Sequence, residues 1–425
     1  MKKIFVAIVV GLIAISSYSQ DNSSLYLMKD NPLSLEVNPA NPIYKKFYIG
    51  IPVLSNFNFS AQNAFKYNDL VEESLEGLIL KPGQLYESLK DNNPNAINLN
   101  LDILNFGFRV NKTINRYGFR NKTKYVIYYL KELTGLTVNG NGAYSQATLE
   151  INNLDVSANS YMELSVGIQD IINEKLIVGI RPKFLLGIAN VGTNEFRASI
   201  MTPDDYSHIR IEEEFVLRTS FLYDMFDTKT FTGAFSNLGI AFDLGATYKI
   251  DEKFSVGLSV LDLGYIKWKS NNYDIVSNGE YVFEGVELDG VDVDFNNVVD
   301  SIASALNVET INSEPYTART YTKIMAQGNY DMSDKHRFSA TVRLDCIEGK
   351  VYPLYSVAYI GNLVHWFEVV ANTYYYRGLF KIGAAVNFDI CETVKIYASL
   401  DNLIGTLSVK NTKYLGGSLG VALTF

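Results

Sequence analysis

Hydrophobic and polar residues alternate along much of this chain with a period of two, most plainly at its end. In 414–425, Leu415, Leu419, Val421, Leu423 and Phe425 share one parity, while Gly416, Ser418, Gly420, Ala422 and Thr424 share the other. A strand sends the two parities to opposite faces, so one face is apolar and the other small and polar. The same alternation marks a hairpin at 238–260. Leu238, Ile240, Phe242, Leu244, Ala246 and Tyr248 oppose Gly239, Ala241, Asp243, Gly245 and Thr247, the chain turns at 250–253, and Phe254, Val256, Leu258 and Val260 oppose Ser255, Gly257 and Ser259. The segments recur at roughly ten residues each, the length of a tilted strand crossing a bilayer.

Strands are expected at 47–60, 99–110, 116–124, 160–169, 175–189, 238–248, 254–268, 316–330, 335–346, 351–360, 364–376, 378–388, 393–404 and 413–425. Every second connection is short, near Lys112, Asn173, Asp251, Asp334, Asn362 and Glu392, and the long ones near Ala61, Tyr125, Asn190 and Lys269 fall on the other side. Short turns at one end and long loops at the other, with an even strand count, describe a bacterial outer-membrane barrel with both termini in the periplasm. The fold class is therefore all-β: an antiparallel, up-and-down transmembrane barrel of roughly fourteen strands with short helices in its external loops. Helices are expected at 68–90, near 128–133, and at 295–306, where Phe295, Val298, Ile302 and Leu306 form a stripe. Phe47, Tyr248, Phe254, Tyr330, Phe338, Phe367, Phe388 and Phe425, all outward in phase and at the short-turn ends, form an interfacial girdle.

Three domains follow. Residues 1–19 read as a signal peptide, with Lys2-Lys3, an apolar run from Ile4 to Ile15, and small Ser17 and Ser19 before cleavage. Residues 20–45 form a periplasmic lead-in or small hatch, because Asn38-Pro39-Ala40-Asn41-Pro42 forbids a central strand or a helix. Residues 46–425 are the barrel. Composition agrees: 425 residues suffice for a dozen or more strands, hydrophobic content is 47%, and 29 Tyr and 24 Phe stand against 2 Trp. Beyond the leader no apolar run is long enough for a membrane helix. A net charge of −9 leaves no nucleic-acid footprint. Cys346 and Cys391 fall at opposite ends of the barrel and are expected as separate thiols.

With Asn38-Pro39-Ala40, Phe47-Tyr48-Ile49-Gly50-Ile51-Pro52, the hairpin run Ser255 to Gly264 and a terminal Phe425, the chain resembles a family of uncharacterised Bacteroidota outer-membrane barrels. More distantly it is similar to long-chain fatty-acid transporter barrels and to barrel subunits of the gliding-associated type nine secretion machinery. The resemblance implies architecture and outer-membrane location rather than an activity.

Chemistry is sparse. Gly416-Gly417-Ser418-Leu419-Gly420 matches a nucleophile elbow, but it lies within a strand instead of at a strand-to-helix turn. His208, His336 and His365 sit in loops or beside turns, so no catalytic residue is assigned and the chain is read as a non-enzyme. Glu284, Glu287, Asp289, Asp292 and Asp294 lack the spacing of a calcium loop and read as a solvated patch, leaving no metal and no cofactor. Arg181, Lys183, Arg343 and Lys381 fall on lumen-facing parities. They are candidates for attracting an anionic solute or headgroup, or for pairing with Glu163, Asp243, Asp345 and Asp389. Asn38, Pro39 and Ala40 are the hatch candidates.

The expected function is passive carriage of small molecules, hydrophobic ones among them, across the outer membrane. The alternative is an accessory or docking barrel of a secretion or surface-assembly machine. The expected partners are membrane lipid, lipopolysaccharide, the barrel-assembly machinery and a hydrophobic ligand.

Overall fold

The computed structural model describes residues 30–75, 77–90, 93–129, 131–144, 148–151, 154–205, 208–221, 235–283, 308–347, 349–390 and 393–425, together with 24, 27 and 28. The leader 1–19, the acidic patch at 284–294, the stripe at 295–306 and Cys391 lie outside the described residues.

Fourteen antiparallel staves close into a barrel. They are β1 (Phe47–Gly50, then Phe57–Gln62), β2 (Asn93–Val110), β3 (Thr113–Tyr129), β4 (Val156–Ile171), β5 (Leu176–Met201), β6 (Leu238–Lys249), β7 (Phe254–Trp268), β8 (Tyr316–Arg319, then Thr322–Ser333), β9 (His336–Ile347), β10 (Lys350–Val364), β11 (Phe367–Tyr376), β12 (Leu379–Ile390), β13 (Val394–Leu400) and β14 (Tyr414–Thr424). Tyr48 pairs with Thr424 and Phe57 with Leu419, so β1 and β14 seal the sheet. Closure leaves the wall without a free edge.

The alternation read from sequence is realised as inside and outside. On β6 the apolar Leu238, Ile240, Phe242 and Leu244 are exposed while Gly239, Ala241 and Asp243 are buried. Leu164, Phe184, Leu258 and Val357 continue this apolar outer face around the wall. At the short-turn end, aromatic rings pair across neighbouring staves: Phe47 with Phe425 at 5.9 Å between centroids, Phe254 with Tyr330 at 4.7 Å, and Phe367 with Phe388 at 4.8 Å. Such pairs contribute about 0.5–1.5 kcal/mol each beyond their buried area. Among the described residues no helix is long and apolar enough to cross a membrane.

Four stretches differ from expectation. The first stave is interrupted at 51–56, where Val53 takes φ 67°, a conformation unfavourable for a β-branched residue. The wall stays bonded there, since the Ile51 N–H donates to Val421 O (3.1 Å) and the Val53 N–H to Asp102 O (2.9 Å). The stretch at 68–90 is not one helix. It is a hairpin, Val71–Ser74 with Gly77–Leu80, between the short helices Tyr67–Leu70 and Pro82–Ser88. Gly77 at φ 137° reverses the chain where a side chain would be strained.

The loop expected from 190 to 235 is partly sheet. The far half of β5 pairs with Ile209–Ser220, which pairs with Asn272–Phe283, which pairs with Glu309–Asn312. Its faces mix charges such as Glu212, Glu213 and Glu214 with apolar residues, so no period-two signal marks it. The last difference is near 128–133, where β3 runs to Tyr129 and the helix begins afterwards, at Lys131–Asn139.

Folded protein in unheated SDS is expected to run ahead of boiled protein on a gel, because a sheet without edges opens only by global unfolding. Co-migration of the two samples would contradict the closed barrel.

Candidate functional site

The lumen is occupied by the segment that precedes β1. Pro32–Glu36 forms a short 3-10 helix, capped by Asn31, whose Oδ1 accepts from the Leu33 N–H at 3.0 Å. A tight turn follows, in which Asn38 Oδ1 accepts from the Ala40 N–H at 2.9 Å. Asn38 and Ala40 are fully buried.

On one side, Leu27, Met28 and Leu33 pack against Met325, Ile360, Val370 and Tyr397 of β8, β10, β11 and β13. On the other, Ser259 Oγ of β7 donates to Val37 O at 3.0 Å and Gln169 of β4 donates to Asn41 O. The segment therefore spans the lumen from wall to wall, and we call it the hatch.

The wall is shaped to receive it. A Cβ added at Gly179 of β5 would lie 2.4 Å from Pro39 O, and one at Gly245 of β6 would lie 2.2 Å from Asn38 Oδ1. Gly257 of β7 faces Asn38 Nδ2 at 3.2 Å in the same sense. Three neighbouring staves thus carry glycine where the Asn38-Pro39-Ala40 turn rests, because any side chain there would displace the turn.

Charge fixes the hatch. Glu36 pairs with Arg116 and Arg120 of β3 and, at 3.0 Å, with Arg181 of β5. Those cations belong to a larger set. Arg181 Nε donates to Asp243 Oδ2 at 2.7 Å, and Lys183 Nζ lies 2.7 Å from Asp243 and 2.6 Å from Asp262. Lys122 reaches Asp262 at 2.8 Å and Glu163 at 3.0 Å, and Asp102 is 3.4 Å from Arg120.

Asp262 reaches the lumen through a bulge in β7, where it takes φ 54° and its N–H donates to Asp243 Oδ1 at 2.7 Å. The carboxylates Glu36, Asp102, Glu163, Asp243 and Asp262 are matched one for one by Arg116, Arg120, Lys122, Arg181 and Lys183. One of the five acids comes from the hatch. Without it the wall keeps an uncompensated cation.

Arg181 and Lys183 therefore stand in the hatch lock, and both use Asp243. Arg343 and Lys381 lie elsewhere, toward the long-loop end. Arg343 binds Asp345 through two contacts at 2.8 and 2.9 Å, and Lys381 Nζ sits 3.2 Å from the centroid of the Tyr414 ring. Asp389 pairs with Lys395 at 2.7 Å, on another part of the wall from the four candidate cations.

Side chains also meet across the lumen above the hatch. Tyr128 of β3 bonds Tyr352 of β10, and the hydroxyls of Ser157 of β4 and of Tyr321, in the break between the two parts of β8, are 2.6 Å apart. Beside the hatch the β4–β5 ladder is interrupted. Pairing stops at Ser165 with Lys183 and resumes at Ile168 with Ile180, with Pro182, which has no N–H, in the gap. A narrow cavity there is bordered by Ile168 and Ile180, which are exposed on the outer wall, and by Leu35, Pro39 and Arg181 inside.

Glu36 was out of reach of sequence reading, because it sits in a segment without periodicity. Asp262 was hidden by the bulge, which shifts its parity. Arg116, Arg120 and Lys122 share one inward parity on β3 and were legible by that signal. Ser418 of the elbow-like pattern lies mid-strand and accepts from Asn58 Nδ2 at 2.7 Å. Among the described residues no group of three or more His, Cys, Asp or Glu is arranged to hold a metal ion.

Glu36→Gln should leave the hatch poorly held, since breaking a buried pair costs about 3–5 kcal/mol. Backbone hydrogen exchange over 30–43 is expected to speed up about a hundredfold, with β6 and β7 protected as before. Unchanged exchange would mean that packing alone holds the segment.

In comparisons with known proteins, the family model described as "Family of unknown function (DUF5723)" matches residues 39–401. No curated protein matches the chain. Among solved structures, the Ralstonia pickettii toluene transporter TbuX aligns at 9% identity and TM-score 0.42, covering 93% of this chain and 92% of its own. The Pseudomonas putida toluene transporter TodX aligns at 8% identity and TM-score 0.43, covering 96% and 93%. A Pseudomonas aeruginosa FadL homologue aligns at 8% identity and TM-score 0.44, covering 94% and 95%.

Proposed function

Because the chain belongs to the DUF5723 family of unknown function, its role is read from its own geometry, and we propose that it is an outer-membrane barrel serving as a hatch-gated passive route for small molecules. The observation that carries this reading is the hatch itself. A barrel meant only as a wall can fill its lumen with side chains, as the Tyr128–Tyr352 contact does. Here the lumen is crossed in addition by a separate stretch of backbone, seated on glycines and held at one end by a single carboxylate. Such a plug can leave without breaking any hydrogen bond between staves.

Placement in the outer membrane rests on the apolar outer face and the aromatic pairs at the short-turn end, with lipid and lipopolysaccharide as surroundings and the barrel-assembly machinery as the route of insertion. Passage of molecules with apolar bodies is supported by the patch under the hatch. Met325, Ile360 and Val370 would line the lumen once Leu27, Met28 and Leu33 withdrew. The interrupted β4–β5 ladder supplies a second, sideways point at which hatch residues and outer-wall residues border one small cavity.

The accessory-barrel alternative draws on the sheet that continues past the barrel through Ile209–Ser220 and Asn272–Phe283, a platform that passage does not require.

The test is solute flux into proteoliposomes. Wild-type protein should pass small solutes slowly. Gly245→Val, which pushes Asn38 out of its seat, and removal of 38–42 should each raise the rate about tenfold or more, in keeping with a seat strained by more than 1.4 kcal/mol. If both variants fold and stay as tight as wild type, the gated route is wrong and the accessory reading takes its place.

A further inference from the structure

We propose that the outer mouth of the lumen holds a second site, built around Arg377, that binds the oxyanion group of a small organic solute. It rests on the gated-route reading only in taking that solute as cargo. The binding site stands on its own geometry.

The contrast with the hatch lock is one of charge balance. Around Glu36 five acids meet five bases. At the long-loop end, Lys124 of β3, Lys323 of β8, Arg343 of β9, Lys381 of β12 and Arg377 between β11 and β12 lie in one electrostatic neighbourhood, with Asp345 and Asp401 as the carboxylates among them and Asp262 of the hatch lock also acting on Lys124. Asp345 is already held by both contacts of Arg343 and by the Tyr376 hydroxyl at 2.8 Å. Asp401 accepts from the Tyr414 hydroxyl at 3.0 Å.

Several cations rest against ring faces. Arg377 lies 3.9 Å from the Tyr352 centroid and 5.5 Å from that of Tyr376, Lys124 lies 4.7 Å from Tyr321, and Lys381 lies 3.2 Å from Tyr414. A ring quadrupole attracts a cation by about 0.5–2 kcal/mol, less than a carboxylate in a dry site, so an arriving anion is strongly favoured.

Arg377 is the residue that points to a ligand. It occupies the first position of a two-residue turn with Gly378, both at positive φ (50° and 76°), a place usually taken by Asn, Asp or Gly. Its side chain does not run out to solvent from this exposed turn. It folds over Tyr352, and its Nε and Nη1 are shielded from solvent without a hydrogen-bond partner. Buried guanidinium donors normally find acceptors, because leaving one unmade costs about 1–3 kcal/mol or more for a charged group. A carboxylate or phosphate fits the guanidinium fork, and the tyrosine rings around it would contact a planar or apolar body.

The experiment is calorimetric titration of the full chain in detergent with benzoate and, separately, inorganic phosphate. Stoichiometric binding of benzoate alone supports an organic carboxylate, and binding of phosphate alone supports a phosphorylated solute. In either case Arg377→Gln should weaken binding at least tenfold and Lys124→Gln should weaken it less. Lys410→Gln, in the outer loop where Lys410 pairs with Glu73, should leave binding unchanged. Absence of binding by both probes, or an Arg377→Gln protein that binds as wild type does, overturns the site. Binding by a barrel whose hatch variants do not leak would keep the site and remove only its link to passage.

Discussion

The structure depends on one requirement: a carboxylate inside a barrel has to be matched. Glu36 loses nearly all its water when the hatch enters the lumen, and desolvating an ion costs several kcal/mol unless charge and hydrogen bonds replace the solvent. Arg116, Arg120 and Arg181 make that replacement, and they in turn are positioned by Asp102, Glu163 and Asp243. The matching is mutual. The wall cations need the hatch as much as the hatch needs the wall, so one residue ties the segment to β3 and β5.

The glycine seat and the ion lock do different work. The seat is steric and sets where the Asn38-Pro39-Ala40 turn can lie, whereas the lock is electrostatic and sets how firmly it stays. The two are separable because they come from different atoms: backbone-lined hollows on β5, β6 and β7, and charged side chains on β3 and β5. In the mouth farther out, cations rest on tyrosine faces, and Asp345 is held by Arg343.

Much of this was legible in the sequence, for reasons that are physical. A wall one residue thick must show its two environments as alternate residues, so the staves, the inward Arg181, Lys183, Arg343 and Lys381, and the girdle followed directly from period two. Where environment does not alternate, the reading failed. The sheet beyond the barrel at 209–220 has mixed faces, and the hairpin at 71–80 shares its apolar stripe with a helix until Gly77 turns it. Asp262 changes sides through a bulge that costs the sequence no visible mark. Glu36 lies in a single 3-10 turn too short to show any period, and its partners come from distant staves.

The hatch comes before β1 in the chain, and β1 is sealed to β14, the last stave to be made. Only three residues separate Ile43, buried with the hatch, from Phe47, the first residue of the wall. The seam can therefore close in two orders: around a hatch already lying in the groove of the open sheet, or before it, with the segment then fed in from the short-turn end. In the first order the arginines of β3 and β5 receive Glu36 while the sheet is still open to water. The hatch would then also act as a mandrel on which the curved wall is wound.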